Sequence, residues 1–132
     1  MKKTHLTVNR IFFDGGRLAV FLIDSWVPVK GKDEENERIV KEILQYGARH
    51  PEASKYVMSL RYFKQSIGGK PPGRRVLITE FKDLSDMEAF FKEIRNEPEW
   101  QKISHEWAGV MDQTTVETMI WNDQQRKLWI EK

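Results

Sequence analysis

Cysteine is absent from the 132-residue sequence, so neither a disulfide framework nor thiolate chemistry is open to it. No apolar run approaches the ~18 residues that would span a bilayer. The opening Met1-Lys2-Lys3-Thr4-His5 carries positive charge without the apolar stretch of a secretory leader. A strong charge of one sign is missing too. The 22 Lys and Arg against 20 Asp and Glu leave a formal net charge of +2, a weak attraction for a phosphate backbone. No two of the 3 histidines share a metal-binding spacing, and no carboxylate pair accompanies them in the sequence. The expectation is a cytoplasmic protein with no metal, no cofactor, no nucleic-acid partner and no membrane. The length suits a single domain with its own core.

What is present alternates between strand and helix periods. Arg17–Val27 (RLAVFLIDSWV) reads as the strongest strand. Asp33 is an expected N-cap for a helix striped by Ile39, Val40, Ile43 and Leu44, ending near Gly47. Tyr56–Lys64 and Arg75–Phe81 read as a hairpin around the breaker-rich segment 68–73. Leu84, Met87, Phe91 and Ile94 then fall at helical spacing, with Ser85 or Asp86 near the N-cap. Trp100, Ile103, Trp107 and Val110 continue an apolar face after Pro98, and Thr115–Trp121 closes as a strand. The sum is a single domain over 1–132, of class α+β, with ferredoxin-like β-α-β-β-α-β order. Its core lies at about 17–122, flanked by an amino-terminal arm (1–16) with a further strand at Leu6–Phe13. A carboxy-terminal tail (123–132) carries Leu128, Trp129 and Ile130.

Two crossover helices cover one face of such a sheet, so the other face should alternate with polar residues. It does not. Leu18, Val20, Leu22 and Trp26 share one side of the first strand, and Ala19, Phe21, Ile23 and Val27 share the other. A second copy of the same face is the simplest cover, which predicts an isologous homodimer. The alternative cover is the chain's own amino-terminal strand and Trp129 tail.

The order of these elements, with ITEFKDLSDMEAFF followed by EPEW, resembles the dimeric α+β barrel proteins. The nearest groups are the antibiotic-biosynthesis-monooxygenase-like domains and their NIPSNAP-like relatives. The aromatics that carry the likeness are Phe81 at the strand end and Trp100 at the helix restart. The resemblance implies a dimeric barrel with an aromatic-lined cleft between the open sheet face and the helices. It also implies cofactor-independent oxygenation, or binding, of a small apolar or aromatic ligand. Haem-degrading members carry an Asn near the end of the first strand and a Trp ending the third. Here Asp24-Ser25-Trp26 and Phe81 stand there, and His105 is one residue out of register, about 100° around a helix. Haem degradation is disfavoured.

The candidate catalytic residues are three. If the hairpin is symmetric about Lys70-Pro71, Arg61 falls opposite Glu80, and Phe63 opposite Ile78. On a barrel wall that pair would orient a phenolic or acidic ligand with Glu80 as proton acceptor; at an edge it is a solvated cross-strand pair. Asp24, a carboxylate inside the most apolar strand, is either hydrated near the strand end or buried with a perturbed pKa. The candidate ligand-binding aromatics are Phe21, Trp26, Tyr62, Phe81 and Trp121, weighed against plain core or interface packing. His105 lies off the buried stripe and is expected to face solvent, and His50 sits at a helix end. The same element order serves RNA recognition, but Val76 and Ile78 stand where stacking aromatics belong. A non-enzymatic structural or protein-interaction dimer is the remaining alternative.

Overall fold

The computed structural model describes residues 18–125 and 128. The expected Leu6–Phe13 strand and the Trp129 part of the tail lie outside these residues. The elements run β1 (Val20–Trp26), α1 (Asp33–Arg49), α2 (Pro51–Ser54), β2 (Val57–Lys64), β3 (Arg75–Phe81), α3 (Leu84–Ile94), α4 (Pro98–Val110) and β4 (Glu117–Asn122). The strands form one sheet in the order β2-β3-β1-β4, and every neighbouring pair is antiparallel. This is the ferredoxin-like α+β arrangement.

Both crossovers place their helices against the same sheet face. From that face Trp26 and Leu77 meet Ile39, Val40 and Ile43 of α1, with Ile94, Ile103 and Val110 from α3 and α4. A smaller cluster of Val20, Leu22 and Phe81 packs against Met87. Trp26 and Phe81 are wholly buried. Burying a side chain of this size is worth about 1.5–3 kcal/mol, so these two anchor the helices to the sheet.

Local chemistry moves several element ends. Lys32 occupies the N-cap of α1 without a side-chain bond, and Asp33 is the first helical residue, adding its charge to those of Glu34 and Glu35 at the positive helix end. Gly47 does not end the helix. A Cβ there would lie 3.0 Å from Ser54 Cβ, so the glycine lets α2 fold closely back on α1, and Ser54 Oγ donates to the Gly47 carbonyl at 2.9 Å. The N-cap of α3 is Asp83, whose carboxylate accepts from the Asp86 amide at 2.8 Å. Thr115 belongs to a 3-10 turn before β4, where its hydroxyl accepts from the Val27 amide at 2.9 Å.

The hairpin register differs from the symmetric expectation. Arg61 pairs with Ile78, Phe63 with Val76, and Glu80 faces Ser59, whose hydroxyl donates to Glu80 Oε1 at 2.8 Å. Arg61 and Glu80 are therefore not cross-strand partners. Gln65 and Arg74 close the loop, and Gly68, Gly69 and Gly73 take positive φ within it. The turn falls at residues 69–72, and the pairing centres between Gly69 and Lys70, one residue short of the symmetric expectation.

Candidate active site

A cleft of about 650 Å³ opens between the helix-facing side of the sheet and the helices. Its floor comes from the strands: Leu22 and Asp24 of β1, Leu77 and Thr79 of β3, and Thr118 of β4. Phe90, Phe91 and Ile94 of α3 form one wall, and Ile43, Tyr46 and Gly47 of α1 form another. Trp100, Ser104 and Trp107 of α4 close it. The surface is mainly apolar and aromatic, with a few polar groups among them, as small-molecule sites usually are.

Asp24 is the one carboxylate on this floor. The strand period sets it between Leu22 and Trp26 on the helix-facing side, directly opposite Leu77 and Thr118. It is half-buried, and burial pushes its carboxyl above the usual range, partly opposed by the Thr118 hydroxyl, which donates to Oδ1 at 3.0 Å. A carboxylate with a raised pKa holds a proton more avidly than an exposed one, so Asp24 is suited to accept one from a bound ligand. Trp107 also lines the cleft, and its indole nitrogen is buried with no hydrogen-bond partner among the described residues.

The other candidates lie elsewhere. Trp26 is sealed in the core, where its indole donates to Asn36 Oδ1 at 2.8 Å and its rings meet Tyr62 and Trp107. The Tyr62 hydroxyl donates to Glu37 Oε2 at 2.6 Å and accepts from Arg75 Nε at 3.0 Å. Burial and the Glu37 hydrogen bond push the Tyr62 phenol up to about 12. Burial opposes ionisation of Glu37, but its bonds to Tyr62 and Asn36 and the nearby Arg75 hold its carboxyl below the usual range. Phe81 packs against Phe90 within the core. Phe21, Trp121, Arg61 and Glu80 all project from the opposite face, because they sit one position out of phase with Leu22, Ile120, Leu60 and Thr79. Of the eight sequence candidates, Asp24 alone lines the cleft.

The cleft's own aromatics are Tyr46, Phe90, Phe91, Trp100 and Trp107, all on helices. Phe91, Trp100 and Trp107 occupy the apolar helix stripes whose spacing predicts a core, and here they border a cavity as well. The available signal was Ser104 beside a stripe of tryptophans, a polar break in a face otherwise meant for packing. His105 is exposed, as its position off the stripe predicts. His50 is held among carboxylates: its Nε2 lies 2.6 Å from Glu99 Oε1 and 3.6 Å from Glu97 Oε1. The carboxylate pair missing from the sequence around the histidines is thus supplied by the fold.

No family model matches the chain, and no curated protein matches it in sequence. Solved structures do. A NIPSNAP family protein from Agrobacterium tumefaciens superposes with a TM-score of 0.63 at 16% identity, over 81% of this chain and 87% of that one. The chain has the NIPSNAP and antibiotic-monooxygenase fold. A protein assigned to the antibiotic biosynthesis monooxygenases of Bordetella bronchiseptica matches at TM-score 0.59 and 14% identity, covering 81% of this chain and 98% of that one. The hydroxynitrile lyase of Passiflora edulis matches at 0.58 and 11%, covering 80% and 93%. At such identities the likeness is one of fold, and a shared fold carries more than one chemistry. No helix among the described residues is long and apolar enough to cross a membrane.

Proposed function

We propose that the protein binds a small apolar or aromatic molecule in this cleft and that Asp24 withdraws a proton from it, as a cofactor-independent, monooxygenase-like protein. The observation that carries the reading is a desolvated carboxylate on the floor of a mainly apolar cavity whose other polar lining includes Arg95, Gln101 and Ser104. Without a cofactor, the substrate itself must supply electrons to dioxygen. A CH2 flanked by aromatic rings and a carbonyl meets that need: deprotonation makes it electron-rich, and it becomes a carbonyl. One oxygen atom enters the product and the other leaves as water.

The active form in this reading is a homodimer. The sheet face away from the helices carries Phe21, Ile23, Val76, Ile78 and Met119 across its three central and edge strands. Phe63 and Trp121 stand exposed at 45% and 58% on the same face, apolar surface that a second copy would cover, while Ile23 is already buried. That face also supports the alternative of a purely structural dimer.

Anthrone, which has a CH2 between two rings and a carbonyl, is the probe. Titration should quench tryptophan fluorescence, and oxygen uptake should exceed the uncatalysed rate. Asp24→Asn should keep binding and lose uptake, whereas Ser104→Trp, which fills the cleft, should lose both. Binding without uptake by the native protein would leave a ligand carrier. Absence of binding, together with no co-purified small molecule in native mass spectrometry, would overturn the reading in favour of the structural dimer.

A further inference from the structure

At the far end of the helical layer, where α1 meets α2 and α4 begins, six ionisable side chains converge. His50 follows α1, and its ring stacks on Tyr46 with centroids 4.2 Å apart. Its Nε2 faces Glu99 Oε1 at 2.6 Å and Glu97 Oε1 at 3.6 Å, while Nδ1 faces Glu52 Oε1 at 3.6 Å. The Tyr46 hydroxyl donates to Glu97 Oε1 at 2.6 Å, and Arg49 Nε donates to Glu99 Oε2 at 2.8 Å. Among the described residues, Arg49 is the one permanent cation bonded to these three carboxylates. With a neutral imidazole the group carries a net charge of about −2, which a proton on His50 or a bound cation would offset.

We propose that His50, Glu97 and Glu99 form a binding site for a divalent transition-metal ion of the zinc type, joining the end of α1 to the start of α4. One imidazole nitrogen and two carboxylate oxygens are a donor set that zinc accepts, with water completing the coordination. The three donor atoms all lie within 4.8 Å of one another. Bonds of about 2.0–2.2 Å in tetrahedral geometry place neighbouring donors about 3.3–3.6 Å apart. The His50–Glu97 separation already has that value, and the His50–Glu99 contact need open by less than about 1 Å as an ion replaces the bridging proton.

The surroundings hold these donors in place. Glu97 is the N-cap of α4, its Oε2 accepting from the Glu99 amide and its Oε1 from the Trp100 amide, both at 3.0 Å. Arg49 fixes the second oxygen of Glu99, leaving Oε1 turned to the imidazole. The bonds to Glu97 Oε2 and Glu99 Oε2 leave each Oε1 turned toward the imidazole, and such bonds orient a ligand and reduce the ordering cost of binding. The side chains remain 19%, 24% and 35% exposed, enough for an ion and its waters to enter. Tyr46 is the competitor, since its hydroxyl occupies the Glu97 oxygen that the ion would share. Occupancy also has a consequence for the cleft, because α1 and α4 form two of its walls. The site stands on its own geometry and does not depend on the reading of the cleft.

The test is calorimetric titration of zinc chloride into chelator-treated protein at pH 7.5, with magnesium as the comparison ion. One zinc ion per chain should bind saturably, and magnesium should bind at least about tenfold more weakly. His50→Gln and Glu99→Gln should each lower zinc affinity at least about tenfold while circular dichroism stays unchanged. Tyr46→Phe should bind zinc as tightly as the native protein or more tightly. Affinity should fall toward pH 6, where a proton on His50 competes, flanked as it is by Tyr46 and Arg49 of α1, Glu52 of α2, and Glu97 and Glu99 of α4. Cobalt in place of zinc should give visible absorption bands that His50→Gln abolishes. Undetectable binding at millimolar zinc, or equal binding by His50→Gln, would overturn the proposal.

Discussion

Thr118 Oγ1 donates to Asp24 Oδ1 at 3.0 Å, across the β1–β4 pairing that sets the two residues directly opposite each other. The bond joins the edge strand to the single carboxylate on the cleft floor, and it acts on the charged form. Burial raises the Asp24 pKa and Thr118 pulls it back, so the hydroxyl tunes the proposed proton acceptor without touching a ligand.

Asp24 should therefore lower stability at neutral pH. A folded pKa above the unfolded value near 3.9 means the folded protein binds more protons between the two, so stability falls as pH rises through that interval. Asp24→Asn is expected to melt at or above the native temperature at pH 7 and to lose this part of the acid-side rise. Thr118→Val should cost about 0.5–1.5 kcal/mol at pH 7, because the ionised carboxylate loses its donor. Thermal melts of the three proteins from pH 4 to pH 8 decide it. An Asp24→Asn protein much less stable than native at pH 7 would show that the carboxylate is not strained by burial.

The order of elements was readable because each segment has a single period. RLAVFLIDSWV can only be a strand buried on both sides, and Ile39, Val40 and Ile43 can only form a helix stripe. Asp24 stood out as a carboxylate alone in an apolar strand, but whether it was hydrated near the strand end or desolvated was not readable, because that depends on the helices packed across it. The hairpin register was not, since it depends on which of Gly68, Gly69 and Gly73 make the turn, and glycine accepts any of the possibilities. The cleft walls were hidden in another way. Trp100 and Trp107 have the same spacing whether a helix face seals a core or borders a cavity. The His50–Glu99 contact joins residues 49 apart, and no local pattern announces it.

Asn36 is wholly buried, accepting from Trp26 Nε1 at 2.8 Å and donating to Tyr62 at 3.0 Å. Asn36→Leu keeps most of the volume but leaves the Trp26 N–H unpaired in the core. The expected loss is about 2–4 kcal/mol in urea unfolding, with an unchanged m-value. Adding Trp26→Phe to Asn36→Leu should recover part of the hydrogen-bond penalty, so the two changes should be less than additive. Full additivity would mean that the Trp26–Asn36 bond contributes little.

The cluster around His50 should give stability an optimum in mildly acidic solution. The Glu99 hydrogen bond raises the His50 pKa, so its contribution is complete below the unfolded value of about 6.5 and is lost as pH rises through the folded one. Tyr46 lowers the Glu97 pKa, and Arg49 lowers that of Glu99. Their contributions are complete above about 4.3 and are lost as pH falls through the folded values. The window is therefore about pH 4.5–6.5. In chelator-containing buffer, native and His50→Gln melting temperatures should differ most there and converge by pH 8.5. A constant difference across that range would mean that packing against Tyr46, and not charge, is what the substitution removes.

The face opposite the helices decides whether the dimer exists. Ile78 lies at its centre, paired with Ile23 on one side and Arg61 on the other, with Val76 and Phe63 adjoining. Across a two-fold axis any substitution appears twice, so Ile78→Glu would place two carboxylates in one apolar interface. Burying an unpaired charge costs several kcal/mol; a penalty of about 3–5 kcal/mol weakens association by more than about a hundredfold. The native protein is expected to sediment as a dimer at micromolar concentration with a melting temperature that rises with concentration. Ile78→Glu should sediment as a monomer with native circular dichroism. Anthrone binding should survive, since no residue from this face lines the cleft. A native protein that sediments as a monomer would mean that this face is covered within one chain, and the two-fold argument would fail.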